Sequence, residues 1–370
     1  MMIDQNDTFF KTHIEKMSQT PQNPEFHGEG DVWSHTQMVC ESLVNSPAWQ
    51  ALDSRRQKIL YTAALLHDIG KTTCTREENG TIVSPNHSSA GEKIARKTLW
   101  LDFGLCGTYE SMRFRESVCS LIRHHSKPFH FYEVKEPERT VIVLATHGEL
   151  VQDFTNEMLG VLVEADMKGR ITESIDDRLE HLYLFLETAK EAGCLSTPFP
   201  FPSPFSRYAY LSGRDVFPGQ ELYNDTWGSV IMLAGLPGTG KDTYIKKHYP
   251  DLPMVSLDNL RKKMGVSPTE SQWKVANAAK EQAKDYLRKK QPFVWNATNI
   301  TPFMREKQIG LFKNYNASVK IVYLETEWDT LLSRNKSREN PVPETAIESM
   351  AEKLIPPNLN EAHEVEWVVT

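Results

Sequence analysis

The sequence predicts a multidomain chain, an N-terminal all-α bundle followed by a C-terminal α/β domain with a parallel sheet. Three observations carry this expectation. From Val32 to about Gly193 apolar residues recur at helical spacing and strand-like alternation is scarce. From Val230 onward short apolar runs alternate with helical stretches, the pattern of a parallel sheet covered by helices. Between the apolar run Val230–Leu233 and a predicted helix lies Gly235-Leu236-Pro237-Gly238-Thr239-Gly240-Lys241-Asp242-Thr243, which satisfies G-x-x-x-x-G-K. In that setting backbone N–H groups and a helix N-terminus cradle phosphates.

Composition narrows the class. The 370 residues suffice for two domains, and 39% apolar with 25% charged residues describes an ordinary globular protein. The formal net charge of −7 means that a nucleic-acid partner would need a local basic patch. Five cysteines without C-x-x-C spacing read as reduced thiols of a cytoplasmic protein. Met1-Met2-Ile3-Asp4-Gln5 has no signal-peptide pattern, and no apolar run is long enough to span a bilayer.

In the first domain, expected over residues 1–195, Ser34 can cap a helix through Met38 and Leu43. Further helices are predicted over Arg55–Ile69, stopped by Gly70, and over Ser88–Leu101, Glu110–His125, Glu138–Leu150, Asn156–Lys168 and Ile171–Ala192. Polar residues fall on their apolar stripes. His67 follows Leu60, Ala63 and Ala64, with Asp68 next; His125 shares a face with Val118, Leu121 and Ile122; Asp166 shares one with Leu159, Leu162 and Val163. His124 points about 100° away from that face, and the choice between His124 and His125 stays open. An imidazole or carboxylate on such a stripe needs a partner or a metal. His35, His67, Asp68, His87, His125 and Asp166 form a mixed imidazole–carboxylate set suited to divalent transition ions. The remaining histidines, His13, His27, His130, His147, His181, His248 and His363, read as surface or structural.

The series His35, His67-Asp68, His87, His124 or His125, Asp166 resembles the HD-domain phosphohydrolases. The resemblance to their two-metal branch implies that Asp68 bridges two divalent ions and that the histidines complete their shells. Such ions bring a coordinated water to ionise near neutral pH. It also implies that Lys71 contacts the phosphate or leaving group and that Arg170, in Asp166-x-x-Gly169-Arg170, clamps the same phosphate.

Ser196–Phe205 alternates proline with phenylalanine, which predicts an extended strap between the domains, with an SH3-type ligand as the sharper alternative. The connector is expected over residues 196–228, and Arg207–Trp227 shows no period. The second domain, residues 229–370, has predicted strands at Val230–Leu233, Pro253–Leu257, Pro292–Asn296, Ala317–Leu324 and Val365–Val369. Ligands gather at the carboxyl ends of such strands, which places Asp258, Asn296, Thr298 and Asn299 beside the phosphate loop. Asp258 with Arg261 can take a hydroxyl proton and pair with a substrate phosphate, or Asp258 can simply cap a helix. Arg334 and Arg338 read as one helix closing over the transferred phosphoryl group, or as a solvated basic face.

These residues, with Thr298-Asn299 and Pro302, resemble the phage-type 5′-hydroxyl polynucleotide kinases over residues 229–369. The resemblance implies a P-loop kinase using ATP or another NTP with Mg²⁺. Asp242 stands where the hydroxyl of G-x-x-x-x-G-K-[ST] is expected, and Ala297 where that family has an acid; Asp242 is the candidate replacement for Mg²⁺ contact. The whole chain is similar to bacterial fusions of an HD domain to a polynucleotide kinase that heal broken ends. That implies removal of 2′,3′-cyclic phosphate and 2′-phosphate by one half and phosphorylation of a 5′-hydroxyl by the other, on RNA or DNA ends. No K-x-D-G follows, so a separate ligase would seal; no membrane partner is expected, and a homodimer is possible. Two other classes stay open: an HD nucleotide hydrolase fused to a small-molecule kinase, and a nucleic-acid sensor with degraded sites.

Overall fold

The computed structural model describes residues 8–173, 175–267 and 270–370. The N-terminal pentapeptide read above lies outside the described residues, as does Ser174 of the helix expected over Ile171–Ala192. The chain divides into two compact units: one holds residues up to Leu105 and Glu110–Phe199, the other Cys106–Tyr109 and residues from Pro200 onward.

The first unit is helical. Helices Val32–Val44, Ser54–Leu66 and Asn156–Lys168 pack on one another through Val39, Leu43, Leu60, Ala63, Leu159 and Leu162, all fully buried. Each of the Val and Leu side chains contributes about 1.5–3 kcal/mol of burial. Helices His87–Lys97, Tyr109–His124 (from Glu110), Pro137–Ala145 and Ile175–Glu191 also belong to the unit. Several boundaries differ from the sequence reading. Asp31, not Ser34, caps the first of these helices: its carboxylate accepts from the Trp33 and Ser34 amides at 2.9 Å. The stretch Glu138–Leu150 breaks into Pro137–Ala145 and His147–Val151. A hairpin, β1 (Arg76–Glu78) and β2 (Thr81–Val83), was not anticipated. Its Asn79-Gly80 turn, with φ of 51° and 78°, carries the usual two-residue hairpin chemistry. Its exposed strands give no burial alternation to read.

The second unit holds a five-stranded parallel sheet in the order β4-β5-β3-β6-β7, with β3 Ser229–Ala234, β4 Met254–Ser256, β5 Phe293–Asn296, β6 Ser318–Glu325 and β7 Glu364–Val369. Strand β3 is central because Val230–Ala234 is buried throughout, as a strand covered on both faces requires. The proline-rich connector is not extended to its end. Ser203 caps helix Pro204–Leu211 and Pro204 occupies its first turn, where a missing N–H costs nothing.

No helix among the described residues is long and apolar enough to cross a membrane. The five cysteines are free thiols.

Candidate functional site

In the first unit the chemistry gathers where helix Ser54–Leu66 ends. His67 is its C-cap and Asp68 follows in the turn. Gly70 does not stop this helix by a left-handed conformation, since its φ is −66°. It permits contact instead: a Cβ there would lie 2.0 Å from the His87 carbonyl and 2.5 Å from the Gly91 amide. The turn bearing Asp68 thereby rests directly on the helix that starts at His87.

Asp68 is 2% exposed and sits between two groups of imidazoles. Its Oδ2 lies 3.3 Å from His67 Nε2 and 3.7 Å from His35 Nε2. Asp166 Oδ1 approaches the same pair at 3.1 Å (His35) and 3.9 Å (His67). Asp68 Oδ1 lies 3.5 Å from His87 Nε2 and 3.7 Å from His125 Nε2. Each ring is oriented by its other nitrogen, which donates to a backbone carbonyl: Gly169 (3.2 Å), Ala64 (2.7 Å), Ser84 (2.9 Å) and Ile122 (2.8 Å) for His35, His67, His87 and His125. This leaves the Nε2 lone pairs facing inward, His35 to His67 at 3.4 Å and His87 to His125 at 3.3 Å. Two lone pairs at such a separation repel unless a cation lies between them. Asp68 Oδ1 and Asp166 Oδ2 accept no hydrogen bond among the described residues. The donor set therefore fits two divalent ions, one on each side of Asp68, with a backbone carbonyl bonded to each ring's Nδ1 and fixing its orientation.

Electrostatics agree with that arrangement. Burial opposes ionisation of Asp68, but Lys71 and His67 hold its carboxyl well below the usual range. Burial likewise opposes ionisation of Asp166, which Arg170 and His35 hold low. Burial pushes His125 down to about 3, aided by His87 and His67, so its imidazole is neutral at physiological pH. Lys71 Nζ stands 2.7 Å from Asp68 Oδ2, and Arg170 reaches Asp166 Oδ1 at 2.6 Å while its guanidinium covers the Phe129 ring. Both cations border the histidine–aspartate cluster.

His124 is not brought to this cluster. It packs against His147 and Phe154, with ring centroids at 4.7 and 6.1 Å. The stripe geometry explains the difference: His125 continues the inward face, and His124 turns into a separate apolar contact. His27 is buried, neither surface nor idle; it shares the Glu29 carboxylate with His35. Neither His27 nor Glu29 carried a periodic signal, because both lie in the irregular segment before helix Val32–Val44.

In the second unit the phosphate loop links β3 to helix Lys241–His248. Gly235, Gly238 and Gly240 have φ of 139°, 88° and 80°, and Cβ atoms on the first two would meet the Leu324 and Leu331 carbonyls at 2.5 and 2.6 Å. Pro237 lies within the loop. Thr239 spends its hydroxyl on the Leu236 carbonyl at 2.9 Å. Lys241 Nζ donates to the carbonyls of Gly235 and Leu236, both at 2.8 Å, across the loop mouth. Burial lowers Lys241 to about 8, partly opposed by Asp242 and Asp258. Asp242 and Thr243 are exposed, and Asp242 Oδ1 accepts from Asn296 Nδ2 at 2.7 Å, which puts a carboxylate and an amide together at the ends of β3 and β5.

Asp258 is not a cap: Ser256 caps helix Leu257–Met264, and Asp258 is 64% exposed in its first turn. Its carboxylate pairs with the Arg261 guanidinium, and Arg338 lies 3.7 Å away on its other oxygen. Arg261 Nε also donates to Gln272 at 2.8 Å. Arg334 and Arg338 do not share one helix. Helix Trp328–Lys336 carries Arg334, within reach of the space above Gly240, and Arg338 follows in the turn held by Asn335–Val342 bonds. The Thr298 carbonyl accepts from the Gly235 amide at 2.9 Å. Asn299 departs from a substrate-binding position: it is 5% exposed, has φ 46°, and its amide donates to the Leu233 carbonyl at 2.7 Å.

Comparison with known proteins agrees with both halves. Residues 32–146 match the HD domain family and residues 230–357 match an AAA domain family. Over 135 residues the chain is 24% identical to the L-seryl-tRNA(Sec) kinase of Methanococcus maripaludis, across 35% of this chain and 53% of that protein. The chain thus spans about half the length of this curated relative. An HD phosphohydrolase domain is fused to a P-loop kinase domain in one chain.

Proposed function

We propose that the chain heals both termini of a broken polynucleotide. The HD half acts as a metal-dependent 2′,3′-cyclic phosphodiesterase and 2′-phosphatase, and the P-loop half as an NTP-dependent 5′-hydroxyl polynucleotide kinase. The observation that carries this reading is Asp258 flanked by Arg261 and Arg338 near Lys241. A carboxylate between two guanidiniums suits an acceptor hydroxyl whose own strand carries phosphates. Two exposed aromatic residues favour nucleic acid over a small acceptor. Trp273 and Phe303, 68% and 65% exposed, begin helices Trp273–Arg288 and Pro302–Lys313 at the carboxyl end of the sheet. Lys307 covers the Phe303 ring. Stacking of a base on such a platform is worth about 1–3 kcal/mol. The curated relative is itself named for a tRNA-borne acceptor.

The residues divide the work. Lys241 exchanges the Gly235 and Leu236 carbonyls for phosphate oxygens of the NTP, and Arg334 and Arg338 offset charge on the transferred group. Asp258 takes the proton of the attacking hydroxyl. Asp242, bonded to Asn296, would hold Mg²⁺. In the HD half, His35, His67, Asp166, His87 and His125 with bridging Asp68 would hold the two ions, which supply a nucleophile at neutral pH and Lewis acidity. Lys71 and Arg170 bind and orient the phosphoester between them.

The test is an end-group assay on the full chain. An oligonucleotide with a 5′-hydroxyl should gain phosphate from NTP and Mg²⁺, and one ending in a 2′,3′-cyclic phosphate should lose it with Mn²⁺ or Ni²⁺. Trp273→Ala with Phe303→Ala should raise KM for the oligonucleotide about tenfold, as 1.4 kcal/mol of lost stacking predicts, with KM for NTP unchanged. Phosphorylation of nucleosides or metabolites with oligonucleotides left untouched would replace this reading with that of a small-molecule kinase.

A further inference from the structure

The loop before helix Val32–Val44 places a third carboxylate behind the metal cluster. Glu29 has a side chain 2% exposed. Its Oε1 accepts from His35 Nδ1 at 3.0 Å and from His27 Nδ1 at 2.8 Å, and its Oε2 accepts the Ile171 amide at 3.0 Å. The same two segments are joined again where the Gly28 amide donates to the Ile171 carbonyl at 2.9 Å. One carboxylate therefore touches the ring that faces Asp68 and Asp166 and the backbone immediately after Arg170.

We infer that Glu29 is a positioning residue of the metal centre, fixing His35 as a ligand and pinning the segment that carries Arg170. This rests on the reading of the first unit as a metal-dependent phosphohydrolase. A carboxylate that accepts Nδ1–H holds the ring in the tautomer with its Nε2 lone pair free, restrains its rotation and raises the basicity of Nε2. The Gly169 carbonyl shares the His35 Nδ1–H at 3.2 Å, but it is uncharged and belongs to the same segment that Glu29 anchors. Loss of Glu29 thus loosens both holds on His35 at once. The Ile171 anchor acts on a different quantity. It sets where the Arg170 guanidinium stands, so it governs phosphoester binding and not ion binding.

The experiment compares the full chain with Glu29→Gln and Glu29→Ala, each stripped by chelation and titrated with Mn²⁺ in equilibrium dialysis. Loss of the group that accepts a ligating histidine's other N–H lowers metal affinity by about 10–100-fold, and that is the expected shift for the tighter ion. At saturating Mn²⁺ the hydrolytic kcat should recover in both variants, while KM for the phosphoester stays raised in Glu29→Ala, which cannot accept the Ile171 amide, and returns toward the parent value in Glu29→Gln, whose amide oxygen still can. Phosphorylation by the P-loop half should be unchanged in the same preparations. Mn²⁺ affinity of Glu29→Gln within twofold of the parent would overturn the inference alone. A parent chain that binds no Mn²⁺ would overturn the metal-centre reading beneath it. Ion loss accompanied by loss of helical circular dichroism would also overturn it, since Glu29 would then serve folding and not the site.

Discussion

Gly70→Ala separates two opposing effects at the metal centre. The Gly70 backbone is right-handed, with φ −66° and ψ −22°, so alanine fits the local conformation and would ordinarily stabilise the chain by about 0.4–1 kcal/mol. The neighbours decide otherwise. The new Cβ would stand 2.0 Å from the His87 carbonyl and 2.5 Å from the Gly91 amide, both backbone atoms that cannot rotate away. Ordinary contact begins at 3.4 Å, so helix His87–Lys97 must retreat from the Asp68 turn by more than 1 Å. Overpacking of this kind costs about 1–3 kcal/mol, which exceeds the gain in chain entropy. The displaced helix carries His87, whose Nε2 lies 3.5 Å from Asp68 Oδ1. The rings of His35 and His67 are oriented by the Gly169 and Ala64 carbonyls, neither of them on that helix, so this pair should keep its geometry. Gly70→Ala should therefore lose the ion on the His87–His125 side first, so that bound Mn²⁺ falls from two per chain to one. Hydrolysis should fall about 100-fold, the usual effect of a 1 Å misplacement. The assays are metal analysis after dialysis, phosphoester turnover and a thermal melt, with phosphorylation by the second unit as internal control. A higher melting temperature together with full turnover would show that the close contact of Gly70 with the His87 helix has no part in the centre.

Four further outcomes follow from the geometry. Lys241→Ala should abolish phosphorylation and spare hydrolysis, and Asp68→Ala should do the reverse; end-group assays on both mutants would show a shared site if the two activities vanished together. Because burial brings Lys241 to about 8 from its ordinary 10.5, its ammonium is present below that pH and lost above it. NTP affinity measured by calorimetry should be flat below pH 8 and weaken by up to tenfold per unit above it, and Lys241→Arg should remove the slope. Asp242→Ala should raise the Mg²⁺ concentration needed for half-maximal phosphorylation, and an unchanged Mg²⁺ titration would exclude that carboxylate as a metal contact. Asn299→Ala should lower the stability of the second unit by about 0.5–1.5 kcal/mol, through loss of its hydrogen bond to the Leu233 carbonyl, without changing KM for the acceptor; a KM effect in a fully folded protein would return Asn299 to the substrate site.

The parallel sheet and the ligand series were legible because each is written at a fixed period. Continuous apolar runs mark strands buried on both faces, and all five predicted strands of the second unit are present. An imidazole on an apolar stripe declares its direction, which is why His67, His125 and Asp166 converge while His124 does not. Period says nothing about segments that have none. Glu29 and His27 lie in an irregular stretch whose position is set by Ile171, more than a hundred residues away. The Arg76–Val83 hairpin announced itself only through Asn79-Gly80, since its strands are too exposed to alternate.

Asn299 and Arg338 show a different limit, one of direction along the chain. Both follow segments whose ends were placed correctly near the phosphate loop, yet proximity did not settle which way each side chain turns. Asn299 adopts a positive φ, which turns its amide back onto β3, where it donates to the Leu233 carbonyl at 2.7 Å. Arg338 lies beyond the end of helix Trp328–Lys336 because Asn335 binds the Val342 backbone twice and closes the helix early. That early stop frees Arg338 from the helical face of Arg334, so one guanidinium addresses the loop at Gly240 and the other addresses Asp258. A continuous helix would have set both on one stripe, a single turn apart. The broken one sets one cation beside the phosphate loop and the other beside Asp258.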